Sequence, residues 1–226
     1  MGTYLETFFY WCEVWALLIP LSVLLYHRRQ SSFLQPVIVY LWAAFFINLI
    51  ANIIGDFKSI LPIWMQSNNP LYNLHSVVRF ACFASFFLAL KQPHFSGLKK
   101  LLPILSLSFI LFNFTLNESF FYPGHLSGNL HAAEAYLLLI YCLIYYLSEL
   151  KEDSERIAAA QEFWVTTGLC IYVVINFFVF LFYVPLINQG EQLANDMWDV
   201  HNVAYIILCL FIAKAFYVPV ASRYKS

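Results

Sequence analysis

The chain of 226 residues carries 12 Lys and Arg against 13 Asp and Glu, while 62% of its residues are hydrophobic and 19% aromatic. Soluble domains use roughly 25% charged residues, and the 11% present here cannot build a water-facing surface. The net charge of −1, without any basic-aromatic stripe, excludes a nucleic-acid-binding protein, and the mean hydropathy of +0.70 points to the lipid bilayer as the main partner.

Seven apolar blocks each approach the roughly 20 residues that a helix needs to cross the hydrocarbon layer. In chain order they are Phe8 to Tyr26, Pro36 to Ile54, Leu71 to Leu90, Leu98 to Leu116, Asn129 to Ser148, Glu162 to Tyr183, and Trp198 to Val218. The fourth is the weakest, because Lys99, Lys100 and Pro103 crowd its start. Continuous runs of this length exclude a β-barrel, whose strands alternate over short stretches. The expected fold is therefore an all-α polytopic membrane protein, one seven-helix domain over residues 1–226.

The opening MGTYLETFFYWCE has no basic region and no small-residue cleavage signal, so the first block is expected to be retained as a span. Cys12, Cys82, Cys142, Cys170 and Cys209 all fall inside apolar blocks, which reads as small buried residues rather than a disulfide framework. Between the second and third blocks, residues 57–69 are apolar but broken by Pro62, and an interfacial lid or short surface helix is expected there. Between the fifth and sixth, ELKEDSERIAAAQE is charged and Ala-rich, and it reads as a helical extension of both neighbouring spans.

Basic residues assign the sides. Arg28, Arg29, Lys91, Lys99, Lys100, Lys151, Arg156, Arg223 and Lys225 fall on one side against Lys58 on the other. The positive-inside rule then puts the C-terminus in the cytoplasm and, with seven crossings, the N-terminus outside. Boundary aromatics such as Trp11, Trp64, Tyr72, Trp164, Tyr183, Trp198 and Tyr217 suit that placement. A plasma or bacterial inner membrane is the expected location.

With this orientation, the polar residues within the spans gather towards the outside. Glu13 lies in span one, and Asn48, Asn52 and Asp56 climb one face of span two at four-residue spacing. His75 and Arg79 share a face of span three, Asn113 and Asn117 repeat the spacing in span four, and His131 and Glu134 open span five. Asn176 sits near the middle of span six, and Asp199, His201 and Asn202 begin span seven. Charged groups in hydrocarbon are expensive, so these side chains are expected to face a shared polar cavity or network. Arg79 is its expected electrostatic centre, with Glu13, Asp56, Glu134 and Asp199 as candidate counterions.

The bland reading of each polar residue is helix clamping by hydrogen bonds or ion pairs. His75, His131 and His201 with Glu134 and Asp199 have donor atoms suited to a metal, but no HxxxH or HExxH spacing supports one, and no cofactor is expected. Lys214 lies late in span seven and reads as a snorkelling cation rather than a Schiff-base lysine. The asparagines of Asn113-Phe-Thr115 and Asn117-Glu-Ser119 lie in or against the membrane, poorly placed for glycosylation. Seven crossings are similar to the G-protein-coupled receptor fold, but the Asn-Pro motif and outer disulfide of those receptors are absent, and no family is assigned.

The leading functional expectation is a receptor-like or sensory module that binds a small polar ligand in an outward-facing cavity and signals through a separate cytoplasmic or membrane effector. Alternatives are a transporter or channel for a small solute or ion, an intramembrane metal-dependent hydrolase, and a membrane scaffold subunit.

Overall fold

The computed structural model describes residues 7–90, 92, 95–151, 159–187 and 191–219, and all of the regular secondary structure among them is helical. The long helices are α1 Cys12–Tyr26, α2 Gln35–Asp56, α3 Asn69–Ala89, α4 Ser96–Phe112, α5 Gly128–Lys151, α6 Gln161–Ile187 and α7 Glu191–Tyr217. Six helical segments, one from each of α2 to α7, are long and apolar enough to cross a membrane. The chain is an integral multi-pass membrane protein. α1 has 15 residues, about 22 Å at the α-helical rise. A helical turn at residues 7–10 precedes it, interrupted at Trp11.

Local chemistry explains the boundaries. Pro36 and Pro70 stand in the first turns of α2 and α3, where a missing N–H has no intrahelical partner to lose. α4 passes into a π-turn at Asn113–Asn117. The segment expected as a lid or surface helix forms only a 3-10 turn, Ile63–Met65, started by Pro62, with Ile60 and Ile63 exposed. α5 does run on to Lys151, and Ala159 and Ala160 form a 3-10 turn and a bend before α6 starts at Gln161, while residues 152–158 of the expected extension lie outside the described residues. Lys91, His94, Arg156, Arg223 and Lys225 lie outside the described residues, as do the side chains of Trp64 and Lys151.

Six helices close into a ring: α1 packs on α2, α2 on α3, α3 on α5, α5 on α6, α6 on α7, and α7 back on α1. α4 stands outside the ring against α3 and α5, with 17% of its most apolar stretch buried where α5 has 61%. The seam between α6 and α7 is close because a Cβ at Gly168 would lie 2.4 Å from the Cβ of Phe211; small residues let membrane helices approach. Exposed Leu18, Phe46, Leu88, Leu105, Leu147, Phe178 and Leu210 cover the outside of the bundle. Hydrocarbon solvates such a surface without penalty, so the polar side chains turn inward.

Candidate polar site within the helix ring

Arg79 and Glu134 meet inside the ring. The Nε of Arg79 donates to Oε1 of Glu134 at 2.5 Å and its Nη2 to Oε2 at 2.7 Å. Both residues are under 5% exposed. Ser76, one turn before Arg79 on α3, donates its hydroxyl hydrogen to Oε2 at 2.5 Å. The Tyr172 ring faces the guanidinium carbon at 5.0 Å. A planar fork on a carboxylate suits two parallel charge-assisted bonds, and pairing is what makes the two charges tolerable in this buried setting.

A second cluster joins α1, α6 and α7. Nε2 of His201 lies 2.9 Å from Oε1 of Glu13, and its Nδ1 lies 2.5 Å from Oδ1 of Asn176. The Asn176 amide donates to the Tyr172 carbonyl at 2.8 Å. His201 also packs between Trp198 and Tyr205, with ring centroids 5.0 and 6.2 Å away. Tyr172, 5.8 Å from His201 by ring centroids, bridges this cluster to Arg79.

His75 stacks on Tyr40 at 5.8 Å, and the Tyr40 hydroxyl donates to that of Tyr205 at 3.4 Å. His131 stacks on Phe180 at 4.5 Å; its Nδ1 is 3.9 Å from Oε2 of Glu134, beyond hydrogen-bond reach. Several buried polar atoms have no hydrogen-bond partner among the described residues: both amide atoms of Asn48, Nε2 of His75, both ring nitrogens of His131, the Tyr172 hydroxyl and Oδ1 of Asn202, and, away from these, Oδ1 of Asn113 and the Thr166 hydroxyl.

The remaining expected residues separate into two groups. Asn52 and Asn202 fasten the start of the chain, their amides donating to the carbonyls of Tyr10 at 3.3 Å and Phe9 at 3.2 Å. Asn113 donates to Glu118 at 3.1 Å and Ser127 at 3.3 Å in the connection between α4 and α5. Asp56, Asn117 and Asp199 are exposed and take no part in the ring interior. Of the four carboxylates that competed for Arg79, Glu134 has it; Glu13 goes instead to His201. No three His, Cys, Asp or Glu side chains among the described residues converge to hold a metal. His201 is already engaged by Glu13 and Asn176, and Asp199 faces away.

Sequence reasoning missed the tyrosines that bind the clusters together. Tyr172 and Asn176, and His201 and Tyr205, stand four residues apart, the spacing used to pair asparagines, and the same rule applied to tyrosine finds them. It also missed a clasp at the opposite end of the ring. Gln161 accepts from Ser31 at 2.6 Å, and its amide donates to Gln30 at 2.9 Å, to the Ala215 carbonyl at 3.2 Å and to the Val218 carbonyl at 3.1 Å. That end is closed by polar bonds rather than being uniformly apolar. Lys214 projects from it, its Nζ 5.5 Å from the ring centroids of Trp164 and Tyr217. No protein-family model, curated protein or solved structure matches the chain.

Proposed function

We propose that this protein is a receptor-like or sensory module that crosses the membrane seven times, N-terminus outside and C-terminus cytoplasmic, and binds a small polar ligand inside the helix ring. One observation carries the reading. Asn48 on α2, His75 on α3, His131 on α5, Tyr172 on α6 and Asn202 on α7 each bury polar atoms without a hydrogen-bond partner among the described residues, and His131 and Tyr172 flank an ion pair that is already satisfied. Each such group costs about 1–3 kcal/mol, so five on five helices favour a site completed by something polar from outside the chain.

The chemistry narrows that ligand. Glu134 neutralises Arg79, which leaves imidazole, amide and phenol groups that both donate and accept. A small neutral or zwitterionic molecule suits them better than a strong anion. Arg28, Arg29, Lys99 and Lys100 against Lys58 support a cytoplasmic C-terminus. The Gln161 clasp then lies on the cytoplasmic side, where a shift of α6 against α1 and α7 reaches the surface offered to an effector.

Mass spectrometry of small molecules retained by protein purified from native membranes tests the proposal. A stoichiometric polar molecule is expected on the wild type and is lost in His75→Phe with the fold intact. Retention unchanged in that variant defeats it. Cysteines at Arg29 and Lys58 should label from opposite sides of sealed vesicles, and labelling from one side ends the seven-crossing reading.

A transporter is the second reading, favoured by Arg79, Glu134 and Glu13 buried within the bundle. Proteoliposome uptake abolished by Glu134→Gln separates it from a sensor.

A further inference from the structure

The seam where α4 leans on the ring carries a groove that Arg79 does not line. It has a volume of about 510 Å³ and opens on the outer surface between α4, α5 and α6. The size falls within the range of small-molecule sites, about 300–1,000 Å³. Its lining is ordered along the helices. Asn113, Asn117 and Asn129 stand at one end, and Phe109, Ala132 and Tyr136 continue from them as an apolar track. Ala132 and Ala133 are small, which is what leaves room between α4 and α5.

At its polar end the groove meets a second cavity. A pocket of about 200 Å³ in the connection between α4 and α5 shares Asn117 with it and is also lined by Glu118, Ser119, Tyr122, His125 and Ser127. Glu118 accepts from Asn129 at 2.9 Å and from Ser127 and Asn113. No Lys or Arg lines either cavity among the described residues. Helix ends sit at the headgroup level of a bilayer and mid-helix positions in its hydrocarbon, so the polar pocket and the apolar track fall at the depths of the two parts of a lipid.

We propose that the two cavities are one binding site for a bilayer lipid, with its headgroup beside Asn117, Ser119 and His125 and a hydrocarbon chain along Phe109, Ala132 and Tyr136. The headgroup carries no net negative charge. A phosphate without a compensating amine would face the Glu118 carboxylate with no cation to offset it, whereas hydroxyl or ammonium donors find carboxylate, amide and imidazole acceptors. The chain lies against Ala133, which lines both the groove and a tight crevice of about 10 Å³ reaching Ser76 and Glu134.

Photocrosslinking in nanodiscs of equal phosphatidylglycerol, phosphatidylethanolamine and galactosyl diacylglycerol tests the site. A benzophenone amino acid in place of Tyr136 reports the groove, and one in place of Leu143, exposed farther along α5, reports the bulk lipid. The two non-anionic lipids are expected to be enriched over phosphatidylglycerol at position 136 by roughly fivefold relative to 143, the discrimination of one net hydrogen bond. Ala133→Phe fills the groove and removes the enrichment. Should that variant not fold, Asn117→Leu, at an exposed position, is expected to lower it instead. Equal lipid composition at both positions, a preference for phosphatidylglycerol at 136, or enrichment that survives both substitutions overturns the proposal.

Discussion

The Tyr141 hydroxyl donates to the Lys99 carbonyl at 2.7 Å, and Lys99 is the residue whose carbonyl Pro103, four positions on, leaves without an intrahelical N–H. A proline inside α4 thus becomes a tie between α4 and α5. The Lys99 side chain adds two bonds at the same place, its Nζ donating to the Phe87 carbonyl at 3.1 Å and to Gln92 at 2.6 Å. The helix outside the ring is held at this end by polar contacts more than by buried area.

Tyr141→Phe is therefore expected to destabilise the protein by about 1 kcal/mol, the value of one lost bond to a carbonyl that Pro103 cannot serve. Reversible unfolding in mixed detergent micelles measures it. The double variant Tyr141→Phe with Pro103→Ala restores the intrahelical bond and is expected to recover most of the loss. Equal losses in the single and double variants would mean that the hydroxyl does not serve that carbonyl.

Removing one member of the Arg79–Glu134 pair leaves the other charge buried. Arg79→Met or Glu134→Leu alone is expected to cost about 3–5 kcal/mol, the usual result of breaking a buried pair. The double substitution removes both charges and is expected to be less damaging than either single one. A double-mutant cycle in the same unfolding assay gives the coupling. Additive losses would separate the two residues energetically despite their contact.

Apolar run length was legible because lipid imposes it: six blocks match six candidate spans to within a few residues at most ends. The last helix departs most, starting at Glu191 rather than Trp198, because residues 191–197 are too polar to register as part of a span yet still propagate a helix. Four-residue spacing read the polar faces correctly for His75 with Arg79 and for Asn48 with Asn52, all of which are buried. It could not choose between partners on different helices. Asp56 and Asp199 carry the same carboxyl chemistry as Glu134, yet both are exposed. The Gln161 clasp was hidden for another reason. Glutamine at a helix start reads as an ordinary boundary residue, and nothing local reveals that Ser31 and Val218 arrive beside it.

The clasp makes its own prediction. Gln161→Leu strips Ser31, Gln30 and two chain carbonyls of a partner at once, in a place where Gln161 is 1% exposed. A loss of about 2–3 kcal/mol is expected, more than a typical membrane hydrogen bond supplies, because several groups are orphaned together. The loosening should be local. Hydrogen exchange is expected to rise in residues 27–34 and 213–218 while the Arg79 region stays protected. Uniform deprotection would place the clasp in the global folding unit.

Asn48 tests the candidate site from the opposite direction. Its amide is fully buried with neither atom paired among the described residues, and a leucine, with the same branching and number of side-chain heavy atoms, has no polar group to strand. Asn48→Leu is therefore expected to stabilise the ligand-free protein by about 1 kcal/mol. The same change removes one donor and one acceptor from the ring interior, so the retained polar molecule should be lost. Stability and retention moving in opposite directions distinguishes a residue kept for binding from one kept for packing. A destabilised Asn48→Leu variant would show that the amide has a structural partner, such as a bound water, and would remove it from the set of ligand contacts.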